Sequence, residues 1–155
     1  MAALQGKQPE WIARLDSAVF EVFEMMLARN CSPAEIADAI APCISARILF
    51  SGVIDGECVL FASESVARAT AEALLGIPSE PGDPMAGDAI GELCNMIAGG
   101  WKSKLGSDEA GCAISPPSIT THDGTIEVNA HEGIRRFYSF EGHVFGVHMT
   151  FEGDR

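Results

Sequence analysis

The chain has 155 residues, 47% hydrophobic and 21% charged, and its 22 acidic and 10 basic residues leave a formal net charge of −12. That length suits one domain spanning 1–155, and the composition excludes a disordered chain. The acidic balance leaves no basic footprint for nucleic acid or an anionic membrane. No apolar run approaches the roughly 20 residues that span a bilayer, so a cytoplasmic protein is expected.

Residues 1–8 are expected to fray. From 9 to 29, Trp11, Ile12, Leu15, Val19, Val22, Phe23, Met26 and Leu27 recur at helical spacing, with Pro9 suited to the first turn and Asn30 to the close. Ser32 and Pro33 suggest a helical turn reaching Ile40. A hairpin follows, with runs at 46–53 and 57–62 joined across Asp55-Gly56, a favoured two-residue turn. Ser63 is placed to cap a helix over 64–75, which Gly76 would stop. A loop rich in proline and glycine leads to Asp83-Pro84, a strong start signal for a helix over 84–105. That helix would be roughly 33 Å long and would end at Gly106.

Strand patterns dominate the remainder. The run at 112–114 leads into Pro116-Pro117, which suits only a strand end or edge. Asp123-Gly124 turns into a run at 125–130, and a last hairpin pairs 134–140 with 143–152 across Glu141-Gly142. In its final strand Phe145, Val147, Met149 and Phe151 alternate with Val144, Gly146, His148 and Thr150. The expected fold is α+β: a six-stranded antiparallel sheet, with mixed pairing permitted, and two long helices packed on one face. Cys31, Cys43, Cys58, Cys94 and Cys112 are odd in number, form no C-x-x-C pair and sit among apolar neighbours. They read as buried thiols rather than disulfides or zinc ligands.

The helix over 84–105 carries the most informative pattern. Asp88, Glu92 and Asn95, spaced by four and three, share one face, while Ile90, Leu93, Cys94, Ile97 and Trp101 gather on the other. A solvated helix face is the ordinary explanation of such a row. Gly91, Gly99 and Gly100 argue for more, because each costs about 1 kcal/mol in helix propensity relative to Ala. Gly99 lies on the face of the row, where a side chain would obstruct an approaching partner. Paired carboxylates acting as acid and base would need a pocket, which a convex face does not provide. A metal would need more carboxylate or imidazole ligands, and His122, His131, His143 and His148 are scattered over strands and loops. Neither a nucleophile elbow nor a phosphate-cradling loop occurs. The chain carries no catalytic apparatus of a self-contained enzyme.

The pattern D-x-x-x-E-x-x-N at Asp88, Glu92 and Asn95, flanked by Ile90, Gly91 and Met96 to Gly99 and followed by the Pro116-Pro117 segment, resembles the signature of the CheC, CheX and FliY phosphatases of bacterial chemotaxis, CheX most of all. The resemblance covers most of the chain. It implies a CheC-like fold and removal of the phosphoryl group from the aspartate of a phosphorylated CheY-like receiver. The receiver would bring its own Mg²⁺ and lysine, so this chain needs no cofactor or metal; positioning a water for in-line attack remains to be supplied. On this resemblance Asn95 orients the water, Glu92 pairs with the receiver lysine, and Asp88 and Gly99 serve docking. It also implies a homodimer paired through sheet edges.

Relatives of the CheC kind carry two such rows. Here Ser17, Glu21 and Glu24 have the spacing, but Glu24 stands where the amide would be and would repel a phosphoryl group, so this copy is expected to be inactive. A chance arrangement of surface residues explains it equally well. The competing expectations are a non-catalytic CheX-like module that only binds a receiver, and an adaptor for the deamidase CheD.

Overall fold

A computed structural model describes residues 8–35, 44–78, 80, 82, 84–106, 111–121 and 133–151. The expected fraying of the first residues, the helical segment beyond Glu35, the Asp83 cap, the turn at Asp123-Gly124 and the run at 125–130 fall largely or wholly outside them. The chain forms α1 (Gln8–Val22), β1 (Ser32–Ala34), β2 (Ile44–Gly52), β3 (Gly56–Ala62), α2 (Glu64–Leu75), α3 (Pro84–Ser103), β4 (Cys112–Ile114), β5 (Ser118–Thr121), β6 (Ile134–Phe140) and β7 (His143–Phe151). The strands make one sheet in the order β1-β6-β7-β3-β2-β4, with β5 also paired to β2. Every pairing is antiparallel.

The α+β class with an antiparallel sheet is as expected; five of the six expected strands fall among the described residues, two more bring the described sheet to seven, and three described helices rather than two build the helical layer. One added strand is β1, at Ser32 and Pro33, where a helical turn was expected. Pro33 pairs with Tyr138 on an edge strand, the place in a sheet that tolerates proline. The other is β5. It continues β4 along the same side of β2 after an interruption at the two prolines. Ser115 bridges that interruption: its N–H donates to Leu49 O and its Oγ accepts from Leu49 N–H, each at 2.9 Å.

Local signals set most helix and turn boundaries. Ser63 Oγ accepts from Val66 N–H at 3.3 Å to cap α2, and Gly76 closes it at φ 71°. Glu141 and Gly142 both take positive φ in the two-residue turn between β6 and β7. The β2–β3 connection differs from the expected two-residue turn. Phe50 pairs with Gly56, so Gly56 lies in β3; Ser51 and Gly52 leave β3 but stay in β2 by pairing with β4, and the connection itself is residues 53–55. A methyl on Gly56 would stand 2.1 Å from Thr150 O, so close approach of β7 requires the glycine. The end of α1 also departs from simple periodicity: Phe23–Leu27 form a π-helical turn closed by Ala28 in the left-handed conformation, not by Asn30. The wider turn buries Phe23 and Leu27 and leaves Met26 57% exposed, although α-helical spacing placed Met26 with the core.

The core lies between the helices and the face of the sheet carrying Ala46, Ile48, Leu60, Phe145, Val147 and Met149. From α3, Ile90, Leu93, Cys94, Ile97 and Trp101 are fully buried, and each large apolar side chain so buried contributes about 1.5–3 kcal/mol. Trp101 stacks with Phe151 and donates Nε1–H to Trp11 O at 3.4 Å, tying α3 to the start of α1. Cys58, Cys94 and Cys112 are buried free thiols, Cys31 is half-buried, and Cys43 lies outside the described residues. Burial raises the Cys31 thiol to about 12, so it is inert at neutral pH. On the outer side Asp16 of α1 accepts from Arg136 Nε and Nη2 at 3.1 and 2.9 Å and from Tyr138 Oη at 2.7 Å, clamping α1 to β6.

Candidate functional site on helix α3

Helical periodicity places the polar row as its spacing requires. With the apolar stripe of α3 sunk in the core, Asp88 and Glu92 are exposed, and Asn95 and Gly99 are half-buried along the same outward face. A methyl on Gly99 would meet nothing within 4 Å, so its surroundings are open, as the sequence suggested.

The other two glycines serve internal packing. A methyl on Gly91 would stand 2.7 Å from Ile119 Cδ1 and 3.6 Å from Pro117 Cγ, so this buried glycine lets β5 press against α3. A methyl on Gly100 would stand 3.4 Å from Ala18 Cβ, where α1 approaches α3. Of the three, only Gly99 has open surroundings. The placement of Pro117 and Ile119 beside the row could not be read from spacing; the two prolines marked a strand edge without saying which helix it flanks.

The row on α1 differs in electrostatics. Lys104, just beyond α3, donates Nζ–H to Glu21 Oε1 and Oε2 at 2.9 and 3.0 Å, and Ser17 Oγ–H donates to Oε1 at 3.3 Å. The Lys104 hydrogen bonds hold the Glu21 carboxyl below its usual range. Glu24 is exposed. Glu21 is thus engaged within the chain, whereas among the described residues no such contact to Lys104 exists for the row on α3. Among the described residues no group of three histidine, cysteine or acidic side chains could hold a metal ion, and no helix is long and apolar enough to cross a membrane. His143 is half-buried and His148 buried, while His122 and His131 lie outside the described residues.

The family model described as "Chemotaxis phosphatase CheX" matches residues 44–137, which contain the hairpin, the capped α2, the polar row and β5. The chain belongs to the CheX family. Its fold agrees with solved CheX structures. The chemotaxis protein CheX of Vibrio vulnificus superposes with a TM-score of 0.78 at 20% identity, covering 92% of this chain and 97% of that one. A putative chemotaxis protein of Desulfovibrio vulgaris Hildenborough gives 0.77 at 24% identity, with coverage of 92% and 97%. CheX of Borrelia burgdorferi, solved as a CheX–CheY–BeF3–Mg²⁺ complex, gives 0.69 at 18% identity, with coverage of 92% and 98%. No curated protein matches the chain in sequence.

Proposed function

We propose that this CheX-family chain is a phosphatase acting on the phosphorylated aspartate of a CheY-like receiver, with Glu92 and Asn95 as the working pair. The observation that carries this reading is the outward face of α3, where a carboxylate and an amide one turn apart stand beside the open Gly99. The complex of the Borrelia relative with CheY supports the choice of partner.

An acyl phosphate already surrounded by a metal ion and a lysine lacks mainly a correctly placed water. The Asn95 amide both accepts from a water proton and donates, so it orients the water in line with the phosphorus–oxygen bond that breaks. Glu92 pairs with the receiver lysine and fixes the helix against the site, and Asp88 supports docking at the N-terminal end of the row. Mg²⁺ arrives with the receiver; this chain holds no cofactor of its own. The same reading makes the protein a cytoplasmic homodimer paired through a sheet edge, and β5, exposed along its length, is an available edge.

The test follows phosphate release from candidate phosphorylated receivers. Asn95→Ala is expected to lose about 10²-fold or more of the acceleration with its fold intact, by analogy with removal of one transition-state hydrogen-bonding group. Glu92→Ala mainly raises the receiver concentration needed for half-maximal rate. Normal activity in purified Asn95→Ala protein refutes the assignment. A chain that binds the receiver without accelerating release is instead a binding module.

A further inference from the structure

We propose that Ile119 is a positioning residue that sets the roll and height of α3 and thereby aims Asn95 and Glu92; this rests on the receiver-phosphatase reading above. Gly87 and Gly91, one turn apart, leave a bare trough along one flank of α3. The Ile119 side chain lies in it: a methyl on Gly87 would stand 3.5 Å from Ile119 Cγ2, and one on Gly91 only 2.7 Å from Cδ1. Gly91 precedes Glu92 and lies one turn before Asn95, so Ile119 bears on the turn that carries both.

The sheet delivers this contact in register. Ile119 pairs with Ala46 of β2, and the two Leu49–Ser115 hydrogen bonds hold the chain to β2 just ahead of the prolines. The buried stripe of α3 fixes one side of the helix to the core, and Ile119 supplies a contact on its flank. Yet Ile119 remains 39% exposed and belongs to a strand whose four residues are all exposed, so it does little for the core itself. A side-chain tip lies about 5–6 Å from a helix axis, so a roll of about 10° moves it about 1 Å. A misplacement of that size costs about 10²-fold in rate.

The experiment measures kcat and KM for a phosphorylated receiver together with amide hydrogen exchange over residues 88–99. Ile119→Ala is expected to lower kcat about tenfold or more, keep KM within about twofold, and speed exchange along the polar row without loss of cooperative unfolding. Gly91→Ala, whose methyl displaces only Cδ1 at the end of the side chain, lowers kcat by less than Ile119→Ala. Gly91→Ala/Ile119→Val, which removes Cδ1, restores most of it. Wild-type kcat and exchange in Ile119→Ala, or a double variant no better than Gly91→Ala, overturns the proposal. If the wild-type protein accelerates phosphate release from no receiver, the phosphatase reading fails, and the exchange rates alone decide whether Ile119 holds α3.

Discussion

Gly99 and Gly100 are adjacent in sequence and point into different surroundings, which separates stability from function. Replacing either by alanine removes a helix-propensity penalty of about 1 kcal/mol. At Gly99 the new methyl enters open space, and at Gly100 it makes ordinary contact with Ala18 at 3.4 Å, so neither site offsets the gain with a clash. For a chain of this size about 1 kcal/mol corresponds to a rise in Tm of about 2–4 °C. Activity is expected to divide the pair. Gly100 faces α1, so Gly100→Ala keeps wild-type kcat/KM. Gly99 shares the face of Glu92 and Asn95, so a long side chain there holds the receiver away: Gly99→Gln folds normally yet loses tenfold or more in kcat/KM, equivalent to about 1.4 kcal/mol of transition-state binding. Thermal unfolding by circular dichroism and phosphate release from a phosphorylated receiver measure the two effects separately. A lower Tm in Gly99→Ala refutes the open surroundings of this position. Undiminished kcat/KM in Gly99→Gln refutes its place in the docking face.

Asp16→Ala leaves the buried Tyr138 hydroxyl and the Arg136 guanidinium without their shared acceptor and is expected to cost about 2–3 kcal/mol in urea unfolding, against about 1 kcal/mol for Tyr138→Phe, which leaves Asp16 both Arg136 bonds. Equal costs for the two would reduce the clamp to an ordinary surface ion pair. Alkaline pH should destabilise the fold: burial raises the Cys31 thiol to about 12 and the Tyr138 hydroxyl above its ordinary value, so both stay protonated when folded while the unfolded chain ionises. Stability is then complete below about pH 8.5 and falls as pH rises through about 10, and a flat urea midpoint over that window would contradict the burial of both groups. Sedimentation at micromolar concentration is expected to show a dimer, and a monomer would count against edge pairing.

Features legible in the sequence were those decided by residues close together in the chain. The spacing of Asp88, Glu92 and Asn95 against Ile90, Leu93, Ile97 and Trp101 fixes which side of α3 is buried once a core exists. Ser63 and Gly76 bound α2 through hydrogen bonds within a few residues. Where local preference and tertiary contact competed, tertiary contact won. Asp55-Gly56 has the composition of a tight turn, yet Gly56 is spent on admitting β7, and the loop forms one step earlier. Met26 follows the apolar period and still faces water, because the π turn keeps Phe23 and Leu27 in the core and turns Met26 outward.

The sequence alone therefore determined the polar row and the helix that carries it, since a helical period brings residues three and four apart onto one face whatever the rest of the molecule does. The tertiary structure decided what surrounds that row. It brought Ile119 from a distant edge strand against Gly91, brought Ala18 against Gly100, and tied Glu21 to Lys104. Those partners are separated by 28, 82 and 83 positions. Contacts at such separations depend on strand register and helix packing across the whole fold, which no local spacing encodes.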